Sequence, residues 1–363
     1  MRVALASFGS LALALVACQK SPPAPPPAPA PPAAKPAAPP DVTASIAGTS
    51  DPECVGPLTS APPQTLSAGG RSWTIAGYKL VLDVPAGAPV TVGVVANADE
   101  ASPENLAALG AYEAFFKANG AQVIVVDGDS GDTAAAIQGV LGSLAKGGVP
   151  VLAQIGNREP KGAFLAGVAA AAKEFPNVFN ASRIREVDVG DVKLLTLPGY
   201  HDPRYLLAGK DGCLYHRDDV QALATLAKGL TGSLVLVSHG PPKGEGPAAL
   251  DRVESPAANV GDPNLTTLLA SAHIRFGIFA NIIEAGGKAT DLHGDKTIPP
   301  GTWASELYLN PGAGDTVSWA MNDGSHAKGM AAVLSFKGGQ ASHQILRLGG
   351  AAPAAAPAPT AAK

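Results

Sequence analysis

The sequence predicts an α/β fold, and three observations carry that expectation. Short runs rich in Val, Ile and Leu alternate with stretches whose apolar residues recur at helical spacing, as expected of strands buried on both faces by crossover helices. Pro just inside, and Gly just beyond, several of the helical stretches marks their ends. The apolar runs also terminate in Asp, Asn, His and Gly, the chemistry that open α/β sheets place at the carboxyl ends of their strands. The chain has 363 residues, 46% of them hydrophobic, enough for one large or two modest domains. Its net charge is -4 and it carries no basic run, so nucleic-acid binding lacks its electrostatic footprint.

In chain order, residues 1–17 hold one early cation, Arg2, and then the apolar run Val3 to Ala17, a secretory signal pattern too short to span a membrane comfortably. The run ends in Leu15-Val16-Ala17-Cys18, which resembles a bacterial lipobox; the resemblance implies lipidation of Cys18, anchoring in the cell envelope, and outer-membrane sorting where there are two membranes, because Gln19 follows. Residues 18–64 are read as the lipidated cysteine and a tether. Its Ser21 to Pro40 portion is nearly all Pro and Ala, a semi-rigid spacer. Residues 350–363 repeat that composition and read as a disordered Ala/Pro tail. Cys54 and Cys213 are the two remaining cysteines, and in an exported protein they suggest a disulfide, with two buried free thiols as the alternative.

The domain is placed at residues 65–349. Thr65 to Val84 is β-like and is broken by Pro85-Ala86-Gly87. Val90 to Ala96 is a buried strand followed by Asn97-Ala98-Asp99, and a helix with Ser102 as N-cap turns Leu106, Leu109, Tyr112 and Phe116 to one face. Val123 to Asp132 reads Val-Ile-Val-Val-Asp-Gly-Asp-Ser-Gly-Asp, a strand ending in an Asp-rich loop that either caps the next helix or holds a ligand. A helix through Ile137, Val140, Leu141 and Leu144 follows, then the strand Val151 to Ile155 with Gly156-Asn157-Arg158-Glu159 at its end. A helix from Lys161 to Phe175 precedes a hairpin, Ile184 to Val189 and Val192 to Leu197, turning at Gly190-Asp191. Asp218 or Asp219 opens a further helix. Ser233 to Ser238 delivers His239-Gly-Pro-Pro, and the Gly/Pro-rich loop to Gly261 is a candidate lid or rim. Asp262-Pro263 caps a short helix, Ile274 to Phe279 ends in Ala280-Asn281, and Met330 to Phe336 and Ser342 to Leu348 close the domain. In a largely parallel sheet, these strand ends are expected to converge on one edge.

The ordered set Gly128-Asp129-Ser-Gly-Asp132, Gly156-Asn157-Arg158-Glu159, Ser238-His239-Gly-Pro-Pro and Asn310-Pro311-Gly312 resembles the calcineurin-like metallophosphoesterases, over roughly Val90 to Leu348. The resemblance implies a sandwich of two mixed β-sheets flanked by helices, with a two-metal site at the strand ends where metal-bound hydroxide attacks phosphorus. It places Asp129 as the bridging carboxylate, and Asn157 and His239 as ligands of the second metal, with Asn97, Asp99 and Asn281 as weaker candidates. The departures from the family pattern are specific. Its Asp-x-His is here Asn97-Ala98-Asp99, and its Gly-His-x-His is Ala280-Asn281-Ile282-Ile283. Its catalytic histidine is Arg158, a guanidinium that cannot act as a general acid. The implied cofactor is thus one divalent metal (Zn, Mn or Fe) or none, with Arg158 expected beside Asp129 in place of missing metal charge.

The functional expectation is a membrane-anchored lipoprotein with a catalytically degenerate phosphoesterase-like domain. Three other readings stand beside it: an active metal-dependent phosphoesterase with an atypical site, a solute-binding lipoprotein whose first lobe begins at Val90, and an envelope protein that binds an unidentified protein partner. Gly128-Asp129-Ser130-Gly131 also mimics the serine motif of chymotrypsin-like proteases, but α/β alternation surrounds it and no stretch supplies the base. His201 and His293 lie in loops within reach of the strand ends, with His293 a candidate to replace a lost imidazole, and with the remaining histidines they are expected at the surface; Trp73, Trp303 and Trp319 are expected in the core or at a rim.

Overall fold

The structure, a computed structural model, describes residues 45–68, 70–254 and 256–351. Cys18, the signal run and most of the Pro/Ala stretch lie outside the described residues, as does the tail from 352 onward. No helix among the described residues is long and apolar enough to cross a membrane.

Two large mixed sheets pack face to face. The first strands are β1 (Gln64–Ala68), β2 (Arg71–Ala76) and β3 (Lys79–Leu82), an antiparallel meander. Next come β4 (Val90–Val95), β5 (Val123–Asp127), β6 (Val151–Gln154) and β7 (Val178–Asn180), which pair in parallel in that order. The chain then returns to the first sheet with the hairpin β8 (Glu186–Val189) and β9 (Val192–Leu197), and with β10 (Ser233–Ser238) parallel to β9. A small hairpin, β11 (Arg252–Glu254) and β12 (Ala257–Asn259), stands apart. β13 (Phe276–Phe279), β14 (Lys288–Thr290), β15 (Thr297–Ile298) and β16 (Leu307–Asn310) complete a ten-stranded sheet ordered β1-β2-β3-β8-β9-β10-β13-β16-β14-β15. β17 (Ser318–Ala320), β18 (His326–Lys337) and β19 (Gln340–Ala351) belong to the other sheet, where β18 pairs antiparallel with β4, β17 and β19.

Alternation along each strand builds two cores. Val123 and Val125 face the inter-sheet core, where they join Val187, Leu194, Val235, Val237 and Leu334. Ile124 and Val126 face the helices with Ile137, Leu141 and Phe164. On the ten-stranded sheet Leu234 and Leu236 likewise face helices. Helices α1 (Pro103–Ala118), α2 (Ala134–Ala145) and α3 (Lys161–Glu174) cover the seven-stranded sheet; α4 (Arg217–Lys228) and α5 (Pro263–Ser271) pack together on the side of β9.

The strand-bearing stretch from Val90 to Ile155 is therefore one face of a sandwich, not the first of two lobes. The strand ends that were expected on one sheet edge are divided: those of β4, β5 and β6 lie in one sheet, those of β10 and β13 in the other. They still meet, because two sheets stacked with these ends together bring both sets to one rim.

Three local expectations need correction. Leu106 on α1 is exposed, and Asn105 is buried instead: its Nδ2 donates to the Ala98 carbonyl at 2.8 Å, and its Oδ1 accepts from Thr316. Helix α4 begins at Arg217 with His216 at the cap, and Asp219 accepts the His216 backbone N–H from within the first turn. Residues 45–63, grouped with the tether on composition, pack onto the domain as a strap up to β1. Ser45 donates to the Asp262 carboxylate, Asp51 pairs with Lys161, and the Gly56 N–H donates to the Ser182 carbonyl at 2.7 Å. Cys54 and Cys213 form the expected disulfide, with Cα atoms 5.3 Å apart.

His201 and His343 are fully buried, contrary to a surface placement, and neither ring nitrogen of either has a hydrogen-bond partner. Burial pushes His343 down to about 4, against 6.5 for an ordinary histidine. The unfolded chain takes up that proton at the higher pH and the folded chain only at the lower, so stability falls as pH drops from 6.5 toward 4. The contribution is about 3 kcal/mol at full protonation of the unfolded state. His343→Leu is expected to remove that part of the acid sensitivity; denaturant midpoints across this range that keep the wild-type slope would count against it.

Candidate functional site

The site is built where strands stop being apolar. After β4, β5 and β13 the chain reverses through Asn97, Asp99, Asp129 and Asn281, all with φ between 50° and 61°. Only His273 shares that left-handed backbone among the described non-glycine residues. Asn and Asp tolerate such φ values better than other side chains, and strained backbone held by surrounding structure clusters at functional sites. The turns after β4 and β5 are knitted together, with Asn97 N–H donating to the Gly128 carbonyl at 3.1 Å and Asp99 N–H to the Asp129 carbonyl at 2.9 Å.

Asp129 and His239 form the centre, both buried. His239 Nδ1 lies 2.7 Å from the Asp127 carbonyl oxygen, which can only accept, so Nδ1 carries a proton. Its Nε2 lies 2.9 Å from Asn157 Oδ1 and 3.3 Å from Asp129 Oδ1. Asn157 is fixed in that orientation because its Nδ2 donates to the Tyr205 carbonyl at 2.8 Å. Burial opposes charge on the ring, but the Asp129 carboxylate outweighs it and pushes His239 up to about 9. Burial also opposes ionisation of Asp129, and the neighbouring His239 and the Arg158 N–H, which donates to Oδ1 at 3.0 Å, hold it below the usual carboxylate range. Asn97 Nδ2 donates to the other oxygen, Oδ2, at 3.3 Å.

Glycines make this close approach possible. A Cβ at Gly128, whose φ is +79°, would overlap His239 Nδ1 and lie 2.7 Å from its Cγ. A Cβ at Gly156 would overlap Asp129 Oδ1 and lie 2.8 Å from His239 Nε2.

The Arg158 guanidinium makes no hydrogen bond to Asp129, but its charge, as expected, helps to hold that carboxylate ionised. Its Nε and Nη2 donate to the two oxygens of Asp132 at 2.8 and 3.0 Å, and Nη1 donates to Asp99 Oδ2 at 3.0 Å. Asp132 is thus the partner of Arg158 and not the cap of α2, where Thr133 serves. Burial raises Asp99 to about 7 in spite of Arg158. A cavity of about 430 Å³ opens in front of this pair, lined by Asp99, Glu100, Asp132, Asp315 and Thr316.

Sequence reasoning gave no role to Glu159, Gln154 or Tyr200, and placed His201 within reach of the strand ends but at the surface. Glu159, fully buried, accepts from Ser130 N–H and Oγ and from Gly156 N–H at 2.7 to 3.0 Å, tying the β5 turn to the β6 turn. Burial raises it to about 7, with Asp129 adding to the rise. Gln154 donates to Asp127 at 2.7 Å, and burial raises that carboxyl to about 7 as well. Tyr200 packs its ring 6.4 Å from the His239 ring centroid, and its hydroxyl accepts from Asn281 Nδ2 at 2.7 Å. The His201 ring lies 4.7 Å from that of Tyr200, tilted by 42°, and burial lowers its pKa. Glu159 and Gln154 flank the Gly-Asn pair in sequence, so adjacency was the available signal; nothing local distinguished Tyr200.

The expected ligands fall into two groups. Asp129, Asn157 and His239 come together; Asn97 touches them through its amide nitrogen, Asp99 is engaged by Arg158, and Asn281 is turned to Tyr200. His293 offers its carbonyl to Glu245 and Gly246 N–H groups and is not among the partners of the cluster. Among the described residues no group of three or more His, Cys, Asp or Glu is placed to hold a metal. The carboxylate, amide and imidazole corner nevertheless fits one cation: ligands ~2.1 Å from a metal sit ~3 Å from each other, and a ligating histidine commonly donates its second N–H to a carbonyl. A second metal does not fit, because its donors are committed elsewhere and Ile283 has none.

No family model matches the chain, and no curated protein matches it. Solved structures are similar in fold. One with no stated protein name aligns at 16% identity and TM-score 0.50, covering 72% of this chain and 100% of its own. A dimetal phosphatase from Danio rerio aligns at 11% identity and TM-score 0.43, covering 72% of this chain and 99% of its own. The purple acid phosphatase PPD1 from yellow lupin seeds aligns at 11% identity and TM-score 0.44, covering 78% and 60%. Since both named phosphatases align below 0.5, the two-sheet sandwich is established by the strand pairings themselves.

Proposed function

We propose that this chain is an envelope lipoprotein, anchored through Cys18, whose metallophosphoesterase-like domain binds rather than hydrolyses. The observation that carries this reading is the fork of Arg158 onto Asp132 and Asp99. The residue at the position of the family's catalytic histidine is a permanent cation whose three nitrogens are each engaged by a carboxylate, so it cannot itself deliver a proton to a leaving group. The opening in front sets four carboxyl groups, Asp99, Glu100, Asp132 and Asp315, against that single guanidinium, which disfavours entry of a phosphate dianion. A single divalent cation at Asp129, Asn157 and His239 would supply a point charge for an anionic group, whereas the clamp on both attacking and leaving oxygens needs two. That corner also supports the second reading, an active phosphoesterase with an atypical site.

Metal analysis together with hydrolysis of a generic aryl phosphate separates the two. At most one equivalent of Zn, Mn or Fe and turnover no faster than the Asp129→Ala protein are expected. Two equivalents, with turnover abolished in Asp129→Ala, would overturn the degenerate reading. Cys18→Ser is expected to release the protein from the membrane fraction; its retention there would remove the lipid anchor from the proposal.

A further inference from the structure

A second cavity, of about 290 Å³ and sharing no lining residue with the one in front of Arg158, is lined by four ionisable side chains, Glu284, Lys288, Asp323 and Arg347, together with Pro247 and Met321. Lys288 on β14 and Glu284 in the preceding turn are half-buried, while Arg347 on β19 and Asp323 are exposed at the rim, so each depth offers one cation and one carboxylate. None of the four pairs with another. Arg347 Nη2 donates to the Gly287 carbonyl at 3.3 Å, and Asp323 accepts the Ser325 N–H at 2.9 Å. The side chains of Lys288 and Glu284 have no hydrogen bond or ion pair among the described residues. Gly287, at φ +68°, lets the guanidinium lie over the backbone beside Lys288, since a Cβ there would stand 2.7 Å from Nη2.

The carboxylates of Asp323, Asp251 and Glu254 act on the Lys288 ammonium through space but none touches it, and a half-buried charge without a contact partner is costly, for the ammonium as for the Glu284 carboxylate. Two half-buried charges of opposite sign, with Asp323 and Arg347 repeating both signs at the exposed rim and no two of the four in contact, are complementary to a ligand that carries both charges. The buried Met321 side chain and Pro247 add an apolar surface. The volume is at the small end of the ~300 Å³ and larger cavities that hold small molecules. We infer that this cavity binds a small zwitterion of the α-amino acid class, its carboxylate toward Lys288 and Arg347, its ammonium toward Glu284 and Asp323, and a short apolar side chain against Met321. The site is independent of the Asp129 cluster and of the reading given to it.

Calorimetric titration of the full chain in detergent with L-alanine, L-leucine and L-methionine, one at a time, tests this. At least one is expected to bind saturably with a Kd of about 1 mM or tighter. Lys288→Met and Glu284→Gln, each checked for native circular dichroism, are expected to weaken that binding roughly tenfold or more. For leucine, 4-methylpentanoate lacks the ammonium and leucinamide the carboxylate, and both are expected to bind at least ~10-fold more weakly. No saturation with any of the three amino acids would overturn the inference. Wild-type affinity in both folded variants, or equal binding of the one-charge analogues, would do so as well.

Discussion

Gly128→Ala is expected to destabilise the folded domain by roughly 2–5 kcal/mol and to dismantle the Asp129 and His239 pair. Two effects add. The residue sits at φ +79°, where any L side chain is strained by roughly 1–2 kcal/mol. Its Cβ would also overlap the buried His239 ring, and overpacking a closed site costs ~1–3 kcal/mol. The ring cannot retreat, because Nδ1 is held by the Asp127 carbonyl and Nε2 faces Asn157 and Asp129. Gly87→Ala is the matched control: φ is +76° there, but nothing lies within 4 Å of the added carbon. It is expected to cost only the backbone term, about 1 kcal/mol. Urea midpoints for the two variants measure the difference, and equal losses would show that the site is looser than the hydrogen bonds indicate. Gly156→Ala, which lacks the positive φ and clashes with Asp129, is expected to fall between them.

Removing the disulfide has a comparable effect by a different route. Cys54 and Cys213 are 159 residues apart, and in the chain-entropy account opening a loop of that length costs about 5 kcal/mol. Cys54→Ser with Cys213→Ser is therefore expected to lower the urea midpoint strongly, and reducing the wild type in urea should converge on the same curve. The loss has a local component. The Cys213 carbonyl accepts the Tyr200 N–H at 2.9 Å, and Tyr200 braces both Asn281 and the His239 ring. Faster amide exchange at Tyr200 and Tyr215 in the double variant is expected before global unfolding. A loss below about 1 kcal/mol would mean that the other strap contacts hold residues 45–56 unaided.

Much of the fold was legible because its signals are local. The run Val123 to Val126 shows a buried strand wherever it is placed, and Ser102-Pro103 starts a helix through its own hydrogen bonds. The cysteine pairing was legible for a different reason: the signal-like start raised the expectation of an oxidising compartment, and beyond Cys18 each of the two remaining cysteines has one possible partner in the chain. Leu106 was misplaced because helical spacing alone does not say which side of a broad stripe meets the sheet, and the Asn105 amide found carbonyls there instead. His201 and His343 were misplaced because composition treats histidine as a surface residue, whereas packing encloses both, His201 against Tyr200 and Tyr215 and His343 on β19.

The sequence by itself determined the strands, the turns that end them, and the residue types gathered at those ends, including Asp129, Asn157 and His239. These follow from periodicity and backbone preference, which act over a few residues. Only the tertiary structure decided that the strands divide between two sheets, that Arg158 turns to Asp132 and Asp99, and that His239 faces an oxygen from each of its nitrogens. Those outcomes depend on which groups lose water together and which charges then lie within hydrogen-bonding distance, and the partners are brought there from positions up to 112 residues apart.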